Sequence, residues 1–317
     1  MNADRFVPDQ QGLALADVTS RAVAQRWVAR PAYRRLTKAF ADAELASAEQ
    51  IADQAERLFA TPDWLEELLE PLVAALREGP WFQPPFRVSR GTDRIGAVLF
   101  QSPAVTITAS VVAPGERPAS PHKGSVVVVS GRLAVTCCHR SGGARWARFE
   151  AGAADDQFSA SKAAPCLPMG STTLSDGGIY REDGRTGGHL TLGGAGHLVM
   201  VTAIIARQSA RVVRDYCAVT GRLLRLVSLD DGAARAQMLL AFLAQAARPE
   251  APALMAALSS DPAFFVRWSA MQQWLTTDVR GAFPRLSQMA DNDAHPEIRA
   301  AAAAMLKVAE AHLACRA

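Results

Sequence analysis

The pairs Ala234-Arg235, Val266-Arg267 and Ile298-Arg299 lie 32 residues apart, and other residues keep the same offset: Asp261 with Asp293, Pro252 with Pro284, Leu254 with Leu286, Ala270 with Ala302, and Leu243 with Leu275. A fixed period of this length marks a repeat architecture, in which each unit is one supersecondary element that cannot bury its apolar face alone. The last third of the chain is thereby constrained to helices stacked on like helices, with stability coming from neighbouring units.

Within a unit, an acid-proline turn precedes a helix that opens on an apolar-Arg pair, and a short break leads to a second helix. "DPAFFVRWSAMQQWL" and "HPEIRAAAAAML" carry this pattern. The segment from about Ala233 to Ala314 resembles HEAT repeats, which implies paired antiparallel helices in a short α-solenoid that presents a surface to another protein. The first unit, "DDGAARAQMLLAFL", lacks the proline, as terminal repeats often do. Arg235, Arg267 and Arg299 are expected to form a ladder with the turn acids Asp231, Asp261 and Asp293. The alternative is a site for an anion or a peptide carboxylate, because arginine presents a rigid fork of donors. With Phe264, Trp268 and Trp274, these arginines are the candidate partner-binding residues; the aromatics are core if enclosed and anchors for a partner if exposed.

From about Leu13 to Glu78 the pattern is also helical. Ser47 with Gln50 has capping-box spacing, and Thr61, Pro62 and Asp63 precede "WLEELLEPLVAALRE" as a second helix start. Residues 21–40 carry six basic side chains and no acid, interleaved with Trp27, Tyr33 and Phe40, whereas residues 41–78 have a net charge of −8. Neighbouring helices of opposite charge satisfy one another, so nucleic acid is not the expected partner.

The period changes at "GPWFQPPF", where paired prolines stop a helix and the aromatics indicate a packed junction. From Phe86 to about Ser228 come short β-rich runs separated by glycine, proline and aspartate turns, including "AVTITASVV", "SVVVVSG", "RLAVTCC", "RWARFEA" and "GHLVMVTAII". This spacing predicts a β-sandwich or barrel. The stretch "GERPASPHKGSVVVVSGRLAVTCCH" resembles the first half of a cupin barrel. That resemblance implies a metal held by two histidines and a glutamate of a first motif and a histidine of a second.

The ligands are missing. With Gly131 as the closing glycine, the ligand positions fall on Arg117, Ala119 and Gly124; with the register slid, His122 alone survives, followed by Gly124 and Val128 or Val129. "PMG" at Pro168 to Gly170 resembles the second motif's turn, but Thr173 stands where its histidine belongs. A catalytic metal needs about three protein ligands, so neither a metal nor a cofactor is expected. His122 is the weak alternative ligand, and His139, His189 and His197 would have to converge from other strands. "SASK" at Ser159 to Lys162 has Ser-x-x-Lys spacing without the later Lys-Thr-Gly, and "GGAG" at Gly193 to Gly196 is read as a turn because a strand follows.

The 317 residues are 49% hydrophobic, with a formal charge of +3 too near balance to point to an anionic partner. The longest apolar run, "LVMVTAIIA", is far short of a membrane span, and no secretory leader is evident. Five cysteines without CxxC fit a reducing compartment, and adjacent Cys137 and Cys138 should point to opposite faces of a strand. The expected fold is a multidomain mixture of α and β: a helical N-terminal region (1–82), a central β-sandwich or cupin-like barrel (83–230) and a C-terminal HEAT-like α-solenoid (231–317). The expected function is non-catalytic: a cytoplasmic adaptor that binds another protein through its solenoid, with the β domain as scaffold or small-ligand pocket. The alternatives are a metal-dependent cupin-type enzyme, an oxygenase or isomerase, and a ligand-responsive regulator.

Overall fold

The computed structural model describes residues 10–314 apart from 62, 80, 93, 116, 156, 157, 159, 161, 162 and 247. Contacts divide the chain into two units. The first runs to Gly152 and takes in Cys166–Ser209 and Tyr216–Gly221; the second is made of Ala153–Pro165, Ala210–Asp215 and the chain from Arg222 onward. Ser159 and Lys162 of the "SASK" stretch and Pro62 lie outside the described residues.

Four helices open the first unit: α1 (Gln10–Val28), α2 (Pro31–Ala39), α3 (Ala48–Phe59) and α4 (Trp64–Glu78). The capping box is formed as expected, with Gln50 N–H donating to Ser47 Oγ and Ser47 N–H to Gln50 Oε1. Helix α4 starts directly after Asp63. Asp63 holds a left-handed φ of 64° with no side-chain cap, so the acids Glu66 and Glu67 of the first turn are what favour the helix N-terminus. The opposite charges of this region do meet, through Arg30–Glu70 at 3.5 Å and Arg35–Glu67 at 3.3 Å.

The β part of this unit contains β1 (Val88–Arg90), β2 (Arg94–Gln101), β3 (Val105–Val112), β4 (Val126–Val129), β5 (Leu133–Arg140), β6 (Arg145–Glu150), β7 (Leu167–Thr173), β8 (Gly178–Asp183), β9 (Gly187–Leu192) and β10 (Leu198–Ile205). A six-stranded sheet has the order β1-β2-β3-β10-β5-β8, and a three-stranded sheet has the order β7-β6-β9; the pairings between these strands are antiparallel.

Alternation sorts the large sheet into two faces. Val105, Ile107, Leu133, Val135, Val201, Ala203 and Ile205 form a continuous buried core with Leu36, Phe40, Ile51, Leu58 and Leu68 of the helices. Each such side chain contributes about 1.5–3 kcal/mol by leaving water, so the helices are anchored to this face. Phe82 and Phe86 of the proline-rich junction belong to the same core or pack against it. The intervening residues (Thr108, Ser110, Thr136, Met200 and Thr202) face the other way. Cys137 and Cys138 obey the same parity: Cys137 packs on the helix-covered core, while Cys138 joins a second cluster with Trp146, Leu198 and Met200. Both are free thiols.

The second unit contains most of β11 (Val212–Cys217), β12 (Leu223–Ser228) beside it, and five helices: α5 (Asp231–Gln245), α6 (Ala251–Leu258), α7 (Phe264–Thr277), α8 (Val279–Asn292) and α9 (Pro296–Ala314). Helix α7 packs against α5, α6 and α8, and α8 packs against α9. Two apolar clusters hold them, one around Leu240, Met255 and Ala270, the other around Met271, Leu286, Met289, Ile298 and Ala302. The period reappears as a local structure. Asp261 accepts the N–H of Ala263, and Asp293 that of His295, while Arg267 donates to the carbonyls of Asp261 and Pro262 and Arg299 to those of Asp293 and Ala294. Among the described residues, no helix is long and apolar enough to cross a membrane.

Candidate functional site

The inward face of the six-stranded sheet and the β6–β9 pair line an open cavity of about 450 Å³, within the range of small-molecule sites. Antiparallel register puts Thr108, Thr202 and Thr136 in one row across β3, β10 and β5, and Ser110 and Met200 in the next. A threonine suits such a strand because its branched Cβ fits the pleat while its hydroxyl faces the cavity. Thr136 Oγ1 and Thr202 Oγ1 are 3.0 Å apart. Two hydroxyls that share one hydrogen bond have one O–H that donates to no atom among the described residues, a donor for something in the cavity.

On the adjoining wall, His189 of β9 and Glu182 of β8 form a pair, with Nδ1 2.8 Å from both carboxylate oxygens. Both side chains are mostly buried, 24% and 19% exposed. The ring of Trp146, from β6, stacks on the imidazole at 3.9 Å between centroids and 19° between planes. Trp146 is itself 4% exposed, and its Nε1–H is buried without an acceptor among the described residues. The exposed Arg94 also lines the cavity, at its rim.

A metal centre is what the cupin resemblance implies, and the donor set does not fit one. The cavity offers one imidazole and one carboxylate, already bonded to each other, and otherwise hydroxyls and apolar groups; among the described residues no three His, Cys, Asp or Glu come together. His122 is not at this site. It is exposed in the turn before β4, where its Nδ1 accepts the Gly124 N–H at 3.1 Å, because "PHKG" reverses the chain before it enters the strand. His139 and His197 are likewise exposed. Of the four histidines weighed from the sequence, His189 alone lines the cavity, and Glu182 was missed: "GIYRED" carries no apolar alternation to mark it as a strand facing a cavity.

The candidate partner-binding residues occupy a different setting. Arg235 is exposed on α5. Arg267 makes a two-pronged bond to Asp293 at 3.0 and 2.7 Å, and these side chains are 11% and 3% exposed. Burial pushes the Asp293 carboxyl up, but the Arg267 fork, the His295 N–H and the charges of Arg267 and Arg285 outweigh it and hold it below its ordinary value. Arg299 serves the carbonyls at the start of its own helix. Phe264 stacks on His295 at 3.9 Å, and Trp268 and Trp274 are half-buried in the helical core.

No protein-family model matches the sequence, and no curated protein does. Among solved structures, a cupin-2 domain from Rhodospirillum rubrum is 11% identical with a TM-score of 0.27, over 54% of this chain and 88% of that one. The cupin domain of Cnp3 from Schizosaccharomyces pombe is 11% identical with a TM-score of 0.23, over 38% and 68%. A conserved protein of unknown function from Pseudomonas aeruginosa is 10% identical with a TM-score of 0.25, over 38% of this chain and 52%, about half, of its own length.

Proposed function

We propose that the first unit binds a small polar molecule in the cavity between its two sheets, and that this is the protein's primary activity. The observation that carries the reading is the left-over hydroxyl donor of Thr136 and Thr202 facing an imidazole–carboxylate pair stacked on a buried indole. A hydroxyl donor left over beside an imidazole–carboxylate pair suits an occupant that accepts hydrogen bonds. The metal-dependent oxygenase or isomerase reading has less support, since among the described residues no three His, Cys, Asp or Glu come together.

The test is a thermal-shift titration of the full chain with small carboxylates and polyols. A ligand at a hundred times its Kd adds about 2.7 kcal/mol of stability, a visible rise in Tm. The expected result is a concentration-dependent rise that Thr202→Ile removes and His122→Gln leaves intact. No rise with any member of either class overturns the reading.

For the helices α5–α9, the HEAT-like adaptor reading is kept as a second proposal, supported by the recurrence of the Asp261–Arg267 turn at Asp293–Arg299. In it a partner protein docks along the stack, with Arg235 and the exposed Met238, Leu239 and Phe242 of α5 as its reachable part, while Arg267, Arg299, Phe264, Trp268 and Trp274 shape the units behind it. The domain limits 1–82, 83–230 and 231–317 and a cytoplasmic location belong to the same proposal. Pull-down with the full chain against its Phe242→Asp variant checks it; equal capture by both removes α5 from the interface.

A further inference from the structure

The imidazole in the cavity is poised for more than binding. Glu182, when ionised, accepts hydrogen bonds and donates none, so the proton of the neutral His189 ring sits on Nδ1, within 2.8 Å of both carboxylate oxygens. The lone pair is then on Nε2. That atom makes no hydrogen bond among the described residues and is not sealed away from the cavity. A basic nitrogen oriented by a carboxylate through its other nitrogen is the arrangement that makes histidine a proton acceptor.

Two neighbours hold the ring in place: Glu182 bonds Nδ1, and the Trp146 face, 3.9 Å away between centroids, fixes the ring plane. On the sheet side, the spare hydroxyl of Thr136 and Thr202 is a donor suited to an oxygen that gains negative charge. Arg94 is the one guanidinium among the described lining residues, and its rim position suits the carboxylate of an incoming molecule.

We infer that His189 and Glu182 form a metal-independent general base that removes the proton beside the carbonyl of a small 2-keto carboxylate. This rests on the cavity being a ligand site. Nε2 takes the proton; the C–H electron pair forms the C=C bond of the enolate as the carbonyl π pair moves to oxygen, which the Thr136–Thr202 donor receives. Return of a proton from His189 to that carbon restores the keto acid. No electron is gained or lost overall, so the step requires no co-reactant.

The experiment is deuterium exchange at C3 of pyruvate and 2-oxobutanoate in D2O with the full chain, followed by proton NMR, alongside the shift of the His189 ring protons as a binding readout. General-base catalysis contributes about 10²–10⁴-fold, so exchange should exceed that in buffer by about 10² or more. His189→Gln should abolish the excess, Glu182→Gln should lower it tenfold or more while His189 still shifts on binding, and Thr136→Val with Thr202→Val should lower it as well. Circular dichroism confirms that the variants fold. Binding without exchange overturns the inference and leaves the ligand-site reading standing. Neither binding nor exchange overturns the inference, and the ligand-site reading then stands or falls on the thermal-shift series alone. Exchange that survives in His189→Gln removes His189 as the base.

Discussion

Arg117 shows how one side chain can determine a turn. The chain "GGAG" between β9 and β10 is a turn, as its sequence position before a strand implies, and Arg117 reaches it from the other end of the sheet's connections. Its Nε donates to the carbonyl of Gly193, its Nη2 to those of Gly194 and Gly196, and its Nη1 to that of Val112, while the side chain is nearly buried. Opposite it, Gly142 holds a φ of 56°, and a Cβ there would lie 2.4 Å from the Gly196 carbonyl oxygen. Lysine has one nitrogen where arginine has three, so Arg117→Lys leaves at least one enclosed carbonyl unpaired and should cost about 1–3 kcal/mol in urea denaturation. A cost below a few tenths would mean water serves these carbonyls equally well. Asp293 offers a second test. Its carboxyl is held below the ordinary value in the folded chain, so its stabilisation is complete above the unfolded value of about 3.9 and fades as pH falls through the lowered one. The stability gap between the wild type and Asp293→Asn should therefore be widest at neutral pH and shrink below about pH 4. A gap that widens on acidification contradicts the assignment.

At the scale of elements, charge joins α3 to β8. Arg181 leaves the helix-covered face of β8 to pair with Glu49, Asp53 and Glu56, one face of α3, and Arg185 adds bonds to Glu49 and Asp183. Burial lowers the Arg181 pKa, but the hydrogen bonds it donates to Asp53 and Glu49 and the charges of Glu49 and Glu56 outweigh this and hold it above its ordinary value. The network is partly exposed, so its worth is discounted for solvent: Arg181→Gln should cost roughly 1–2 kcal/mol, and the loss should shrink in high salt. A salt-independent cost would point to packing of the arginine stem instead. The acidic run 41–78 was legible as a set of faces awaiting cations, and Arg30 and Arg35 of the neighbouring basic run do meet it. Arg181 and Arg185 were not legible as partners, because nothing in "GIYREDGR" announces that β8 runs under α3. The same strand hid Glu182. Strands such as "AVTITASVV" and "GHLVMVTAII" declared themselves because one face is buried in hydrocarbon, whereas "LPMGSTT" is exposed almost throughout, "GIYRED" puts only Ile179 on the helix-covered core, and "GGHLTL" offers just two leucines, too little apolar alternation to mark a strand. The residues that make the cavity chemically interesting were therefore the hardest to place from sequence.

For the whole molecule, the two units should behave as distinct bodies in unfolding. The first buries a core shared by four helices and a sheet; the second is held by clusters strung along α5–α9, where each helix depends on the next. Stability of such a stack is close to a sum of unit and neighbour terms, so a defect in one unit of the repeat spreads along the helices. Arg267 ties the start of α7 to Asp293 ahead of α9, in the turn of the next unit of the repeat. Removing one member of a buried ion pair leaves its partner charged and enclosed, at a cost of about 3–5 kcal/mol. In calorimetry of the full chain, Arg267→Ala should pull one transition to lower temperature while the other, which carries the sheet, keeps its Tm. The thermal shift given by a cavity ligand should show the reverse, raising the sheet transition and leaving the helical one where it was. If Arg267→Ala lowered both together, or a ligand raised both together, the chain would be one cooperative body, and the helical stack would be coupled to the state of the cavity.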